Sequence, residues 1–151
     1  MVDFITELKT ADPNVYALSS VQITESVDWL ADAKGRLDEV LDHFDANRNE
    51  AQHFPLVFMS YDLASAWKSV NMCRINTEAV LYIEELLQPA MGLIVDAKCM
   101  CDHLAARSMG MTISAFNSIV GCLHNAIQAI CMVTEELISW FGLDSTASEE
   151  I

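Results

Sequence analysis

Positively charged side chains are scarce in this sequence. Its 151 residues include eight Lys and Arg against 22 Asp and Glu, which gives a formal net charge of −14. The eight bases are scattered singly, so the chain has no basic patch of the kind that holds nucleic acid or an anionic membrane surface. The charge therefore argues against direct binding to nucleic acid or membrane, and it favours a basic protein partner.

Glycine and proline are also few, at five and three residues, so long uninterrupted elements are expected. Hydrophobic residues make up 52% of the chain and charged residues 20%, which is typical of a folded domain with a substantial core. The length fits a single domain over residues 1–151. Within it, we expect residues 1–18 to form an N-terminal segment with a short helical turn and residues 143–151 to form an acidic flexible tail.

The cysteines do not form a disulfide framework. There are five, an odd number, without regular spacing. The first residues, Met1 to Pro13, include acids and lack the apolar run of a secretory signal. These features predict reduced thiols and a cytoplasmic location.

Charge is absent between Arg107 and Glu135, a stretch long enough to cross a bilayer. Asn117, His124 and Gln128 nevertheless recur at helical spacing and form a polar stripe, so a helix buried in protein is the favoured interpretation. The stripe could fix the register of neighbouring helices through hydrogen bonds, or it could line a small pocket.

Hydrophobic periodicity predicts four long helices, called A to D here. Helix A covers residues 19–46 and begins with a capping box of Ser19 and Gln22, flanked by a hydrophobic staple of Leu18 and Ile23. Helix B covers residues 55–87, with a kink possible near residues 76–77. Helix C covers residues 90–108. Pro89 is expected to separate helices B and C, because the residue before a proline avoids the α region.

Helix D is predicted to begin after Thr112 as N-cap and to end at Gly142. Its apolar face is wide, so we expect it to be the most buried helix. Short connections between such helices predict an all-α fold, an antiparallel up-down bundle of about four long helices with a short N-terminal helical segment. The short helix C would leave part of helix D uncovered, and that face is a candidate homodimer surface.

A ridge of acids on helix A is the most distinctive surface feature. Its members follow one another at offsets of three, four, seven and three residues, and they are Glu25, Asp28, Asp32, Glu39 and Asp42. Neighbours on such a ridge lie about 5–6 Å apart, close to the phosphate spacing of roughly 6–7 Å along a nucleic-acid strand. The ridge could occupy the cationic site of a nucleic-acid-binding protein. The alternative is that it is simply the solvated face that any bundle needs.

A metal site is a second hypothesis. Asp96, Cys99 and His103 share one face of helix C, and they could bind zinc if helix D supplied a fourth ligand. Against this, Cys101 points away from Cys99, and free cysteine is a common small core residue. We therefore predict no metal and no cofactor.

One further motif has the spacing of a metal ligand pair. Glu50 and His53 match one Glu-x-x-His element of di-iron bundles, which need two such elements and further glutamates. The match is therefore interpreted as accidental.

The sequence thus predicts a non-enzymatic acidic protein that binds and inhibits a basic macromolecular partner, in the manner of an inhibitor, immunity or anti-defence factor. The alternative is a homo-oligomeric structural or small-ligand-holding bundle. A thiol or metal enzyme that uses Cys99 and His103 is a third possibility. Aromatic residues near the start of helix B, Phe54, Phe58 and Tyr61, would be partner anchors if they were exposed.

Overall fold

Four helices make up the described part of the chain. A computed structural model describes residues 18–46, 56–106 and 112–141. The helices are α1 (Ser20–Ala46), α2 (Leu56–Asn76), α3 (Leu81–Ala106) and α4 (Ile113–Phe141), and no strand occurs in these ranges. Outside the described residues lie the whole acidic tail, the predicted helix end at Gly142, the Glu50–His53 motif and the predicted N-terminal segment except Leu18.

The start of α1 is fixed by the predicted capping box. The backbone N–H of Gln22 donates to Ser19 Oγ at 3.1 Å, and the backbone N–H of Ser19 donates to Gln22 Oε1 at 2.8 Å. Leu18 and Ile23, the two residues of the staple, are both buried in the core. These contacts satisfy backbone donors that a helix leaves open at its first turn, which is why α1 begins at Ser20.

Helix α4 begins in the same way. Thr112 precedes the helix, and its hydroxyl accepts a hydrogen bond from the backbone N–H of Ala115 at 3.0 Å. The prediction of Thr112 as N-cap is therefore confirmed.

The boundary between the second and third helices was predicted at the wrong place. Helix α2 ends at Asn76, and the chain turns through residues 77–80 before α3 begins at Leu81. Thr77 is fully buried at this turn, where its hydroxyl donates to the carbonyl oxygen of Cys73 at 2.9 Å. The backbone N–H of Val80 then donates to the carbonyl of Thr77 at 2.9 Å. The turn is thus built on a buried threonine, at the site where the sequence suggested only a kink.

Pro89 lies inside α3 instead of separating two helices. A proline in a helix lacks the N–H that would bond to the carbonyl four residues earlier, and its ring crowds that turn. Pro89 leaves the carbonyl oxygen of Glu85 without its helical donor. Glu85 and Pro89 are both exposed, so water can reach that carbonyl. The helix continues because Leu86, Leu87 and Ala90 on either side of the proline are buried.

The helices form an up-down bundle in which each one contacts two neighbours. The contacts are α1 with α2, α2 with α3, α3 with α4, and α4 with α1, and the last is the least extensive. The buried side chains of all four helices join in one core, which includes Leu37, Leu63, Ile94 and Leu123. The predicted all-α bundle of four long helices is confirmed.

Two expectations about the third and fourth helices are wrong. The third helix is not short, because α3 has 26 residues and packs against α4. Helix α3 also buries more residues than α4 does. The reason is that much of α4 faces outward through small or neutral polar residues such as Ser118, Gly121 and Asn125, which are exposed. Lack of charge along a helix is therefore not the same as burial.

Candidate acidic interface

The acidic ridge of Glu25, Asp28, Asp32, Glu39 and Asp42 lies on the surface of α1. All five side chains are exposed, while Leu30, Leu37 and Val40 of the same helix are fully buried on its opposite side. From Glu25 to Asp42 the ridge runs for about 25 Å at 1.5 Å per residue. Helix α1 carries seven of the 22 acids of the chain and is the most acidic of the described helices.

The ridge winds across the outer face of α1. At about 3.6 residues per turn, the ten residues from Asp32 to Asp42 place the two side chains about 80° apart around the helix axis. Asp32, in the middle of the ridge, accordingly contacts α2, whereas Asp42, at its end, lines a groove beside α4. The acidic ridge therefore runs from the side of α1 that faces α2 to the side that faces α4.

Among the described residues, Asp32 is the one member of the ridge that bonds to another helix. Its Oδ2 accepts a hydrogen bond from Ser69 Oγ of α2 at 2.5 Å and another from Arg36 Nε at 3.1 Å. These contacts lower the pKa of Asp32 below its usual value of 3.8, chiefly through the Ser69 hydroxyl. Asp32 is therefore ionised at neutral pH, and two hydrogen bonds hold its carboxylate in place.

The one lysine and the one arginine of α1 each form an ion pair within the helix. Arg36 pairs with Asp32, and Lys34 Nζ lies 2.9 Å from Asp38 Oδ2. Such exposed pairs, four residues apart, contribute about 0.3–0.5 kcal/mol each and leave the acids in place. Within the described residues, Glu25, Asp28 and Asp42 have no hydrogen-bond or ion-pair partner, so the ridge keeps a negative surface.

A second serine contact resembles that of Asp32. Ser60 of α2, which is buried, donates to Asp102 Oδ1 of α3, and Lys98 Nζ lies 2.7 Å from Asp102 Oδ2. The hydrogen bond from Lys98 is the larger cause, and that from Ser60 the next, of a pKa of Asp102 below its usual value of 3.8. In both cases a carboxylate accepts a hydrogen bond from a serine of α2. The same carboxylate also pairs with a cation four residues away in its own helix.

A groove opens between α1 and α4 at the end of the ridge. Its volume is about 500 Å³, and it is lined by Asp38, Leu41, Asp42, Phe44, Phe116, Val120 and His124. The sequence identified Asp42 as a ridge residue and His124 as part of a stripe, but it did not show that both line one groove. That juxtaposition depends on the register of α1 against α4, for which the sequence carries no local signal.

The polar stripe of α4 lies at the surface. Asn117, His124 and Gln128 are all exposed, and within the described residues none of them makes a hydrogen bond to another helix. The expected role in helix register is therefore not supported. His124 lines the groove, which agrees with the other interpretation for that residue alone.

Asp96, Cys99 and His103 of α3, the candidate zinc ligands, are all exposed. Cys99 and His103 are exposed and border a cavity of about 250 Å³ with Met100, Leu104 and Ala115. In the described ranges no three His, Cys, Asp or Glu side chains are grouped as metal binding requires.

The neighbouring Cys101 is a core residue. It is fully buried, and burial raises the pKa of its thiol to about 12. Its thiol therefore stays protonated at neutral pH, whereas a metal ligand or nucleophile needs the thiolate.

Aromatic side chains are exposed at the start of α2. Phe58 and Tyr61 are each 72% exposed, and the adjacent Val57 is 71% exposed. Phe54 lies outside the described residues. An apolar patch of this kind can mark a surface for a partner, as the sequence suggested for exposed aromatics.

Helix α4 is the one described helix long and apolar enough to cross a membrane. The qualifying span is Ile113–Ser139, with a mean hydropathy of 1.3. Core helices of soluble proteins pass the same test, and α4 packs against α1 and α3. Composition alone therefore does not assign this helix to a membrane.

Comparisons with protein-family models, with curated proteins and with solved structures find no match to this chain. The surface chemistry of the described residues is therefore the guide to function. A bundle of this kind hosts many unrelated functions, so the fold by itself carries none.

Proposed function

We propose that the protein is a non-enzymatic binding protein whose acidic ridge on α1 occupies the cationic surface of a basic partner. The observation that supports this proposal most strongly is that five exposed acids lie in one strip about 25 Å long on the most acidic described helix. An inhibitor, immunity or anti-defence factor directed against a nucleic-acid-binding protein fits this surface. The ridge acids would then stand in place of phosphates.

Charge also governs how such a complex would form. Opposite potentials steer two proteins together, so association is fast at low salt and slows as salt screens the charges. Asp32 adds an element of preorganisation, because Ser69 and Arg36 already hold its carboxylate. A fixed acceptor loses less side-chain freedom on binding than a mobile one does.

The test compares two charge-reversal variants of the full chain. The ridge variant replaces Glu25, Asp28 and Glu39 by lysine. Asp32 is left intact because Ser69 and Arg36 bind it, and Asp42 because it also lines the groove. The control variant replaces three exposed acids away from α1 by lysine, and these are Glu78, Glu85 and Asp96. Both variants change the net charge by the same amount.

Affinity capture from native lysate, with and without nuclease, provides the readout. We expect the wild-type and control proteins to capture one basic protein, and we expect the ridge variant to lose it. Capture that survives nuclease excludes an indirect link through nucleic acid. Retention of the same protein by the ridge variant would contradict the proposal, and so would equal loss in both variants.

A second candidate function is self-assembly through the outer face of α4. In a chain of net charge −14, two copies repel each other wherever acids meet. The exposed residues Ser118, Gly121, Asn125 and Gln128 lie in a stretch without Asp, Glu, Lys or Arg, so two copies could meet there without like-charge contact. Light scattering at two concentrations tests this function. Gly121→Arg should dissociate any dimer that forms through this face. A monomer at both concentrations would exclude it.

A further inference from the structure

The groove between α1 and α4 has the size and composition of a binding site. Its volume of about 500 Å³ lies within the range of pockets that hold small ligands. It opens at the least extensive of the four helix contacts.

The walls of the groove combine carboxylates with apolar groups. Asp38 and Asp42 come from α1, whereas Phe116 and Val120 come from α4. Phe116 is half-buried, and its ring packs edge-to-face against the buried Phe44 with centroids 5.2 Å apart and an interplanar angle of 84°. This contact orients the aromatic wall.

The lining of the groove carries two carboxylates, and His124 is its one basic group. Asp42 is exposed and has no ion-pair partner among the described residues. Asp38 is held by Lys34, which bonds to Oδ2. Lys34 itself does not line the groove, and neither does Arg36. The groove thus offers carboxylate oxygens beside an aromatic ring, with no lysine or arginine among its lining residues.

We propose that this groove binds an arginine side chain, supplied by the basic partner of the proposed function on which this inference rests. A guanidinium group is planar, so it stacks on an aromatic ring while it donates two hydrogen bonds to one carboxylate. Asp42 is the carboxylate acceptor, and Phe116 is the aromatic surface. Lysine fits less well, because its ammonium group is a compact charge that makes no paired, planar contact.

A small probe tests the groove without the partner. The peptide acetyl-Gly-Arg-Gly-amide is titrated into the full-length ¹⁵N-labelled protein, and backbone amide shifts are followed by NMR. A matched peptide with citrulline in place of arginine keeps the shape and removes the charge. We expect saturable shifts at Leu41, Asp42, Val120 and His124 with the arginine peptide and none with the citrulline peptide. Equal shifts with both peptides, or shifts spread over all surface acids, would overturn the proposal.

Variants of the groove give the second readout. Asp42→Asn should weaken binding of the arginine peptide about tenfold, because a charge-assisted hydrogen bond is lost. His124→Lys places a permanent cation at the groove and should abolish binding. Gln128→Lys adds the same charge one turn further along the exposed side of α4, outside the groove lining, and should leave binding unchanged. The amide spectrum of each variant reports whether it is folded.

The proposal for the groove and the proposal for the ridge can fail separately, because the two tests change different residues. Arginine-specific shifts in the groove would support this inference even if the ridge variant kept its partner. Loss of the partner by the ridge variant without arginine-specific shifts would support the proposed function and overturn the inference. Equal affinity of His124→Lys and Gln128→Lys for the arginine peptide would also overturn it.

Discussion

Ser69 of α2 donates a hydrogen bond of 2.5 Å to Asp32 of α1, and so it joins the acidic ridge to the body of the bundle. Asp32 is exposed, yet its carboxylate is held from one side by a neighbouring helix and from the other by Arg36. The contact serves both the packing of α1 against α2 and the charge of the surface. The fold and the proposed interface therefore share one residue.

Removal of the Ser69 hydroxyl should weaken the bundle and raise the pKa of Asp32. We expect Ser69→Ala to lower the free energy of unfolding by about 1 kcal/mol at pH 7, as measured by urea denaturation. Ser65→Ala is the matched control, because Ser65 lies in the same helix, is half-buried and makes no hydrogen bond through its side chain within the described residues. Equal losses in the free energy of unfolding for the two substitutions would show that the hydrogen bond from Ser69 to Asp32 does not stabilise the bundle.

The same substitution has a defined pH dependence. The pKa of Asp32 is lower in the folded protein than its usual 3.8, so its stabilisation is complete above that value. It is lost as the pH falls through the folded pKa. The difference in stability between wild type and Ser69→Ala should therefore shrink below about pH 3.8. A difference that stays constant to pH 2 would contradict this account.

Gly35 lies in the gap of the acidic ridge and should accept alanine. A Cβ atom at this position meets nothing within 4 Å, and the residue is exposed in the middle of α1. Alanine is favoured over glycine inside a helix by about 1 kcal/mol, so Gly35→Ala should raise Tm by roughly 2–4 °C. Gly92→Ala, at an equally open position of α3, should act in the same direction. A lower Tm for Gly35→Ala would show that the ridge backbone is not a regular helix.

Pro89 should destabilise α3, because it removes one helical hydrogen bond. We expect Pro89→Ala to increase the free energy of unfolding by about 1–3 kcal/mol. Backbone chemical shifts should be helical from residue 84 to residue 94 in both the wild type and the variant. Non-helical shifts at Gln88 would place the helix boundary at the proline after all.

The cysteines should differ sharply in reactivity. Burial raises the pKa of Cys73 and of Cys101 to about 12, whereas Cys99 is exposed. At pH 8 the two buried thiols are protonated and shielded, so iodoacetamide should label Cys99 at least about tenfold faster. Peptide mass spectrometry after timed quenching measures the rates. Rapid labelling of Cys73 in the native protein would show that this part of the core opens readily.

Local signals in the sequence predicted where α1 and α4 begin. Ser19, Gln22 and Thr112 satisfy backbone groups only a few residues away, so their roles are visible without knowledge of the fold. The acidic ridge was also visible, because helical spacing alone places its members on one face. Its exposure followed from the apolar residues on the other side of α1.

Features that depend on tertiary packing were missed. Pro89 is a strong local break signal, but buried neighbours on α3 maintain the helix through it. Thr77 looks like an ordinary polar residue in the sequence, and its role at the turn depends on its burial. The groove is a property of two helices in a particular register. No pattern within α1 or α4 alone could predict that Asp42 lies near Phe116 and His124.

The proposal that the ridge on α1 binds a basic partner is tested most directly by one measurement. This is the affinity of the captured partner for the two charge-reversal variants. Calorimetric titration at low and at physiological salt gives the dissociation constants. We predict that reversal of Glu25, Asp28 and Glu39 raises Kd by at least about 100-fold, while reversal of Glu78, Glu85 and Asp96 changes it by less than about threefold. Equal losses in the two variants, or none in the ridge variant, would contradict the account.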